Sequence, residues 1–145
     1  MKKYVMFGLV GFSVLVVIIL ACVLIAVLSN PLARSEKHIK KDLLTLTPIG
    51  TSMEDVIAAV EKNEKWKIVC INENSGYFID ENGKADNNTY PGVSYTVVGV
   101  KSIEVLLGRD DILGIFYLHY VSVWYGFDEN SNLINIAVKK EVDWL

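Results

Sequence analysis

The sequence predicts an α+β fold: an N-terminal transmembrane helix, then a two-helix hairpin packed on an antiparallel β-meander. Three observations predict it. An uncharged run extends from Tyr4 to Leu28, directly after Lys2 and Lys3. Residues 35–63 carry helical periodicity, with apolar side chains recurring every three to four positions. From Trp66 onward the apolar residues alternate in short runs separated by polar turn clusters. Helices followed by runs of strands place the helices on one face of an antiparallel sheet.

The first run is about 25 residues, and roughly 20 apolar residues cross a hydrocarbon core of about 30 Å. Val14 to Leu20 is rich in β-branched residues, a poor helix in water, but in lipid the backbone must satisfy itself internally. Three fates compete. One is an uncleaved signal anchor. A cleaved secretory signal has an h-region of about 7–15 residues, shorter than this one. A lipoprotein signal is suggested by Ile19-Leu20-Ala21-Cys22, although the residues after Cys22 stay apolar. Length favours the anchor, which divides the chain into residues 1–29 and a domain over residues 30–145, with the bilayer as partner through Tyr4–Leu28. Two orientation signals conflict. Arg34, Lys37, Lys40 and Lys41 beyond the run outnumber Lys2 and Lys3 before it. A two-lysine start followed at once by an apolar run is an export signal, and the later cations read as one face of a folded helix. The expected location is the cell membrane, single-pass, with the C-terminal domain extracytoplasmic.

Asn30-Pro31 ends the first helix, because proline cannot continue it. Ser35 reads as the N-cap of a helix to about Leu46, with Ile39, Leu43, Leu44 and Leu46 on one side. Thr47-Pro48-Ile49-Gly50 breaks it. Thr51-Ser52-Met53-Glu54 fits a capping box with Glu54 reaching back, and the helix it opens runs to about Asn63. Strands are expected at Trp66–Ile71, Gly76–Asp80, Ser94–Val100, Ser102–Leu107, Leu113–Phe127 and Leu133–Lys139. Glu81–Asn88 reads as a polar loop and Asp128–Asn132 as a hairpin turn.

Charge and motifs exclude several classes. The chain holds 17 Asp and Glu against 14 Lys and Arg, and Lys2 and Lys3 precede the apolar run. An acidic domain is ill matched to nucleic acid. Cys22 and Cys70 form no disulfide framework, and Cys70 between Val69 and Ile71 reads as a buried small hydrophobe. His38 reads as a solvated surface residue. His38 and His119 lack ligand spacing, so no metal and no cofactor is expected. Asp80-Glu81-Asn82-Gly83 departs from a calcium loop, with Gly83 at position four, and reads as a solvated turn.

Phe116–Tyr125 stands out. One of its faces would carry Phe116, Leu118, Tyr120, Ser122 and Trp124, the other Tyr117, His119, Val121, Val123 and Tyr125. Both are apolar or aromatic, whereas a sheet with helices on one side normally has one polar face. Either a loop such as Asp86–Val93 covers the second face, or a protein partner does, with Tyr117, Tyr120 and Trp124 as its anchors. The function expected is therefore a membrane-anchored, non-enzymatic extracytoplasmic interaction module. The alternative is a small cell-envelope enzyme using His119 with a carboxylate such as Glu104.

The stretch Thr47-Pro48-Ile49-Gly50-Thr51-Ser52-Met53-Glu54-Asp55-Val56 resembles the opening of the second helix in the BamE (SmpA/OmlA) family. The stretch from Val123 to Ile134, with its Phe127-Asp128 and polar turn, is similar to the final hairpin of that family. More narrowly, the chain resembles uncharacterised single-pass membrane proteins of Gram-positive bacteria with the same Leu46–Val56 core. The resemblance implies a tethered, non-enzymatic interaction domain outside the cytoplasm. The apolar anchor and the long loop after Asp80 depart from the family's pattern.

Overall fold

A computed structural model describes residues 2–109 and 117–144, with side chains described over residues 12–25, 29–109 and 120–141. Helix α1 covers Lys2–Ser29. Ser29 closes it by donating its hydroxyl to the Ile25 carbonyl at 2.6 Å. Asn30 then caps a 3₁₀ turn, Pro31–Ala33, accepting from the Leu32 N–H at 3.0 Å.

The transmembrane expectation does not hold. Among the described residues no helix is long and apolar enough to cross a membrane. The first element is a helix, as expected. Beyond it the chain is α+β, with helices and antiparallel sheets.

Helix α2, Glu36–Leu46, starts where the sequence placed it, with Ser35 at the N-cap position but without a side-chain cap bond. The Ser35 hydroxyl is engaged with His38 Nδ1 at 2.7 Å and bonds no helix N–H. Helix α3, Met53–Glu61, has Ser52 as its N-cap. The Ser52 hydroxyl accepts from the Asp55 N–H at 3.1 Å and donates to the Asp55 carboxylate at 2.7 Å. The residue paired with the cap is Asp55, not Glu54, because it stands three residues after Ser52, and its carboxylate meets the Ser52 hydroxyl in place of the backbone N–H of a full capping box.

Seven strands complete the chain: β1 Lys67–Asn72, β2 Tyr77–Asp80, β3 Ala85–Asp86, β4 Tyr95–Val98, β5 Lys101–Arg109, β6 Tyr117–Phe127 and β7 Leu133–Trp144. The first part of the expected Leu113–Phe127 strand, residues 113–116, lies outside the described residues. The strands form two antiparallel sheets where one meander was expected. The larger has the order β1-β5-β6-β7, the smaller β3-β2-β4. Gly99 makes the division between β4 and β5. Its φ of 78° breaks the extended run, and a Cβ there would lie 2.6 Å from the Phe127 carbonyl oxygen.

Alternation decides what each layer buries. Ile103, Val105, Val121, Val123, Tyr125 and Phe127 face Ile39, Leu43, Met53, Val56 and Val60 of the helices. An irregularity between Gly126 and Phe127 leaves Ile134 without a register partner, so Leu133 and Ile136 both enter this core although three positions apart. The opposite face of the large sheet presents Trp124 and Ala137, which pack with Tyr77, Ile79, Ala85 and Val98 of the small sheet. The body therefore has three layers: helices, large sheet, small sheet.

The two segments that carried the family resemblance meet in space. The Gly50 N–H donates to the Leu133 carbonyl, the Leu133 N–H to the Thr51 carbonyl and the Met53 N–H to the Ser131 carbonyl, each at 2.8 Å. Gly50 at φ 91° and Ser131 at φ 64° make the turns that bring these strips together.

Candidate functional site

The second face of β6 is closed by the chain's own segment at Trp124. This indole is 3% exposed and donates its Nε1–H to the Asn87 Oδ1 at 3.1 Å. The Asn87 amide nitrogen donates onward to the Glu104 carboxylate. Lys139 lies 5.9 Å from the Trp124 ring centroid and pairs with Asp86 at 3.4 Å and with Glu141. Of the two covers the sequence left open, the loop is the one seen here, beginning at Ala85 and Asp86.

Charges in this cluster act on one another. Partial burial, then the carboxylates of Asp86 and Glu141, raise the Glu104 pKa above the ordinary value, with Lys139 opposing. Burial works against the Lys139 charge, but hydrogen bonding and attraction from Glu141, then Asp86, outweigh it and hold its pKa above the usual lysine range. The network holds a layer in place. Its donors and acceptors are directed at one another, and none of its members is a hydroxyl or thiol nucleophile.

The expected site residues separate. Trp124 is buried under the small sheet. Tyr120 is half-buried, opposite Arg109 on β5 and Glu141 on β7. Tyr117 pairs through its backbone with Trp144, and its side chain lies outside the described residues. His119 pairs through its backbone with Val142, and its side chain lies outside the described residues, whereas Glu104 pairs with Trp124, five positions further along β6. Cys70 corrects another expectation. It is exposed on β1, a strand paired on one side only. Asp80 forms the expected turn, accepting from the Asn82 and Lys84 N–H groups at 2.9 and 2.8 Å. Among the described residues no group of three or more His, Cys, Asp or Glu could hold a metal ion.

Sequence reasoning missed a cleft of about 760 Å³ at the foot of α1. Leu32, Ile39, Leu43, Leu46, Trp66 and Leu107 form its apolar lining, and Ser29 and Asn30 close the end nearest α1. A groove of about 480 Å³ continues it past Leu46 and Trp66 toward the end of α3, sharing Asn63 and Lys65. Lys62, Lys65 and Arg109 bring positive charge to the two linings. Asp42 is matched by Arg34 at 3.1 Å, which leaves Glu64 as the unmatched acid among the described lining residues. Both volumes fall in or near the range of small-molecule sites. The available signal was Trp66 set among lysines directly after a helix, which period-two alternation had assigned to a strand.

Comparisons of the chain with protein-family models, with curated proteins and with solved structures find no match, and nothing in them supports the BamE resemblance.

Proposed function

We propose that this chain is a non-enzymatic interaction module that works at a lipid surface. Helix α1 supplies the lipid contact through Tyr4–Leu28, and the α+β body supplies a binding cleft beside it. The proposal is of contact with lipid and not of a crossing. The observation that carries it is the exposure of the described part of α1. Phe12 is 66% exposed and Leu20 63%, and Leu15, Val17, Ile18, Leu24 and Ile25 are open as well. A contiguous apolar surface of this extent is expelled from water and needs an apolar phase or partner.

Flotation on a density gradient tests the reading. The full chain is mixed with phosphatidylcholine vesicles beside a variant lacking residues 2–29. The full chain is expected in the vesicle fraction and the shortened one at the bottom. A full chain that stays at the bottom as a monodisperse species excludes lipid contact.

A further inference from the structure

The cleft at the foot of α1 and its continuation past Trp66 share one chemical character. The floor is apolar, with Leu32, Leu43, Leu46 and Leu107. The rim carries Lys62, Lys65 and Arg109, with Glu64 as the unmatched acid. Trp66 is half-buried where the two spaces join. Such a site fits a molecule with a hydrocarbon part and a negatively charged head, because the floor removes apolar area from water while the rim meets the charge. Tryptophan beside basic residues is also the side-chain set that settles at headgroup level. Ser29 and Asn30, the residues that end α1, line the same space. The cleft therefore opens at the end of the segment assigned to lipid contact.

We infer that the cleft and groove that join at Trp66 bind the headgroup region of an anionic phospholipid, with Lys65 and Arg109 on the phosphate and Trp66 against the upper acyl chain. This inference rests on the lipid-surface reading above and adds a choice of lipid to it. The net acidity of the chain does not oppose it, because the attraction is local to the rim and falls off within a Debye length of about 10 Å.

Depth-resolved quenching decides it. The full chain is incorporated into vesicles of phosphatidylcholine with 30% phosphatidylglycerol, roughly the anionic content at which such attraction is strong. In one preparation only the phosphatidylglycerol is brominated. In the other an equal mole fraction of phosphatidylcholine is brominated. The Trp66 signal is the difference between the parent chain and Trp66→Phe. Quenching by brominated phosphatidylglycerol is expected to exceed that by brominated phosphatidylcholine about twofold or more, and Lys65→Gln with Arg109→Gln is expected to remove the excess. Both cations are exposed, so that double variant keeps the fold, which circular dichroism verifies. Equal quenching by the two lipids, or an excess that survives the double variant, overturns the inference. Flotation read on the same samples separates the failures. A chain that floats without the preference loses only the groove, and a chain that does not float loses the lipid-surface reading as well.

Discussion

The Trp124 indole N–H meets the Asn87 side-chain oxygen at 3.1 Å, across 37 positions of sequence. One end of the Asn87 amide satisfies the indole and the other satisfies Glu104. Asn87→Ala leaves a buried donor and a half-buried carboxylate without their partner. The expected loss is about 1–3 kcal/mol of stability. Urea unfolding followed by tryptophan fluorescence measures it, and a red shift of the native spectrum is expected from the uncovered indole. An unchanged midpoint with an unchanged spectrum would show that the amide is dispensable.

Tyr77 is fully buried between the sheets, and its hydroxyl has no hydrogen-bond partner among the described residues. Burial also pushes its pKa well above the ordinary phenol value. Removing an unsatisfied buried hydroxyl relieves a desolvation cost, so Tyr77→Phe is expected to be neutral or to stabilise by up to about 1–2 kcal/mol. A thermal melt reads the sign directly, and a clear drop in midpoint argues for a polar contact at that oxygen.

Gly126 is the residue that lets Tyr77 approach. A Cβ there would lie 2.9 Å from the Tyr77 ring and 3.1 Å from the Val98 carbonyl oxygen. Gly126→Ala is expected to cost about 1–3 kcal/mol by forcing the sheets apart. Adding Tyr77→Leu should recover part of this, giving a coupling in a double-mutant cycle. Strict additivity would locate the cost in the β6 backbone instead.

Ser52→Ala removes the cap of α3 and the partner of Asp55. The expected cost is about 1 kcal/mol. Ser35→Ala should change stability by much less, because the Ser35 hydroxyl bonds His38 and no helix N–H. Equal effects at the two serines in chemical denaturation contradict this difference.

Glu104 gives the body a pH dependence of defined sign. Its folded pKa is raised, so the native state holds more protons than the unfolded chain between the ordinary value of 4.5 and the folded value. Stability from this group therefore falls as pH rises through that window, and the penalty is complete above it. Glu104→Gln is expected to stabilise the fold at neutral pH by less than about 1 kcal/mol, since the group is half exposed, which a thermal melt reads as a small rise in midpoint. The advantage should close as pH drops below 4.5. Asp128 runs the other way. The Asn132 backbone N–H holds its pKa down, so its contribution is present above the ordinary carboxylate range and is lost on acidification.

The helices and the strand alternation were legible because periodicity reports burial directly. Ile39, Leu43, Val56 and Val60 were on the expected faces. The Phe116–Tyr125 stretch was singled out as apolar on both sides, and at Trp124 its second side is covered by residues 77–98 of the same chain. The small sheet was hidden in a stretch read as loop and strand, because β3 is two residues long and β4 separates from β5 only at Gly99. The cleft was illegible for a different reason. It is made by Leu32, Leu43, Trp66 and Leu107, which lie far apart in sequence and share no period. Asp55 stands in the place expected for Glu54 because the cap is Ser52.

The pairing of residues 50–53 with 131–133 bears on how the chain is made. Helix α2 packs against β7, and the Lys140 N–H donates to the Glu36 carboxylate at 2.9 Å. Helix α2 thus has its docking surface in the last described strand. A ribosome releases it long before that surface exists, and long-range closure is slow compared with local helix formation. During synthesis the apolar stripe of α2 is left without this strand until the β6–β7 hairpin emerges.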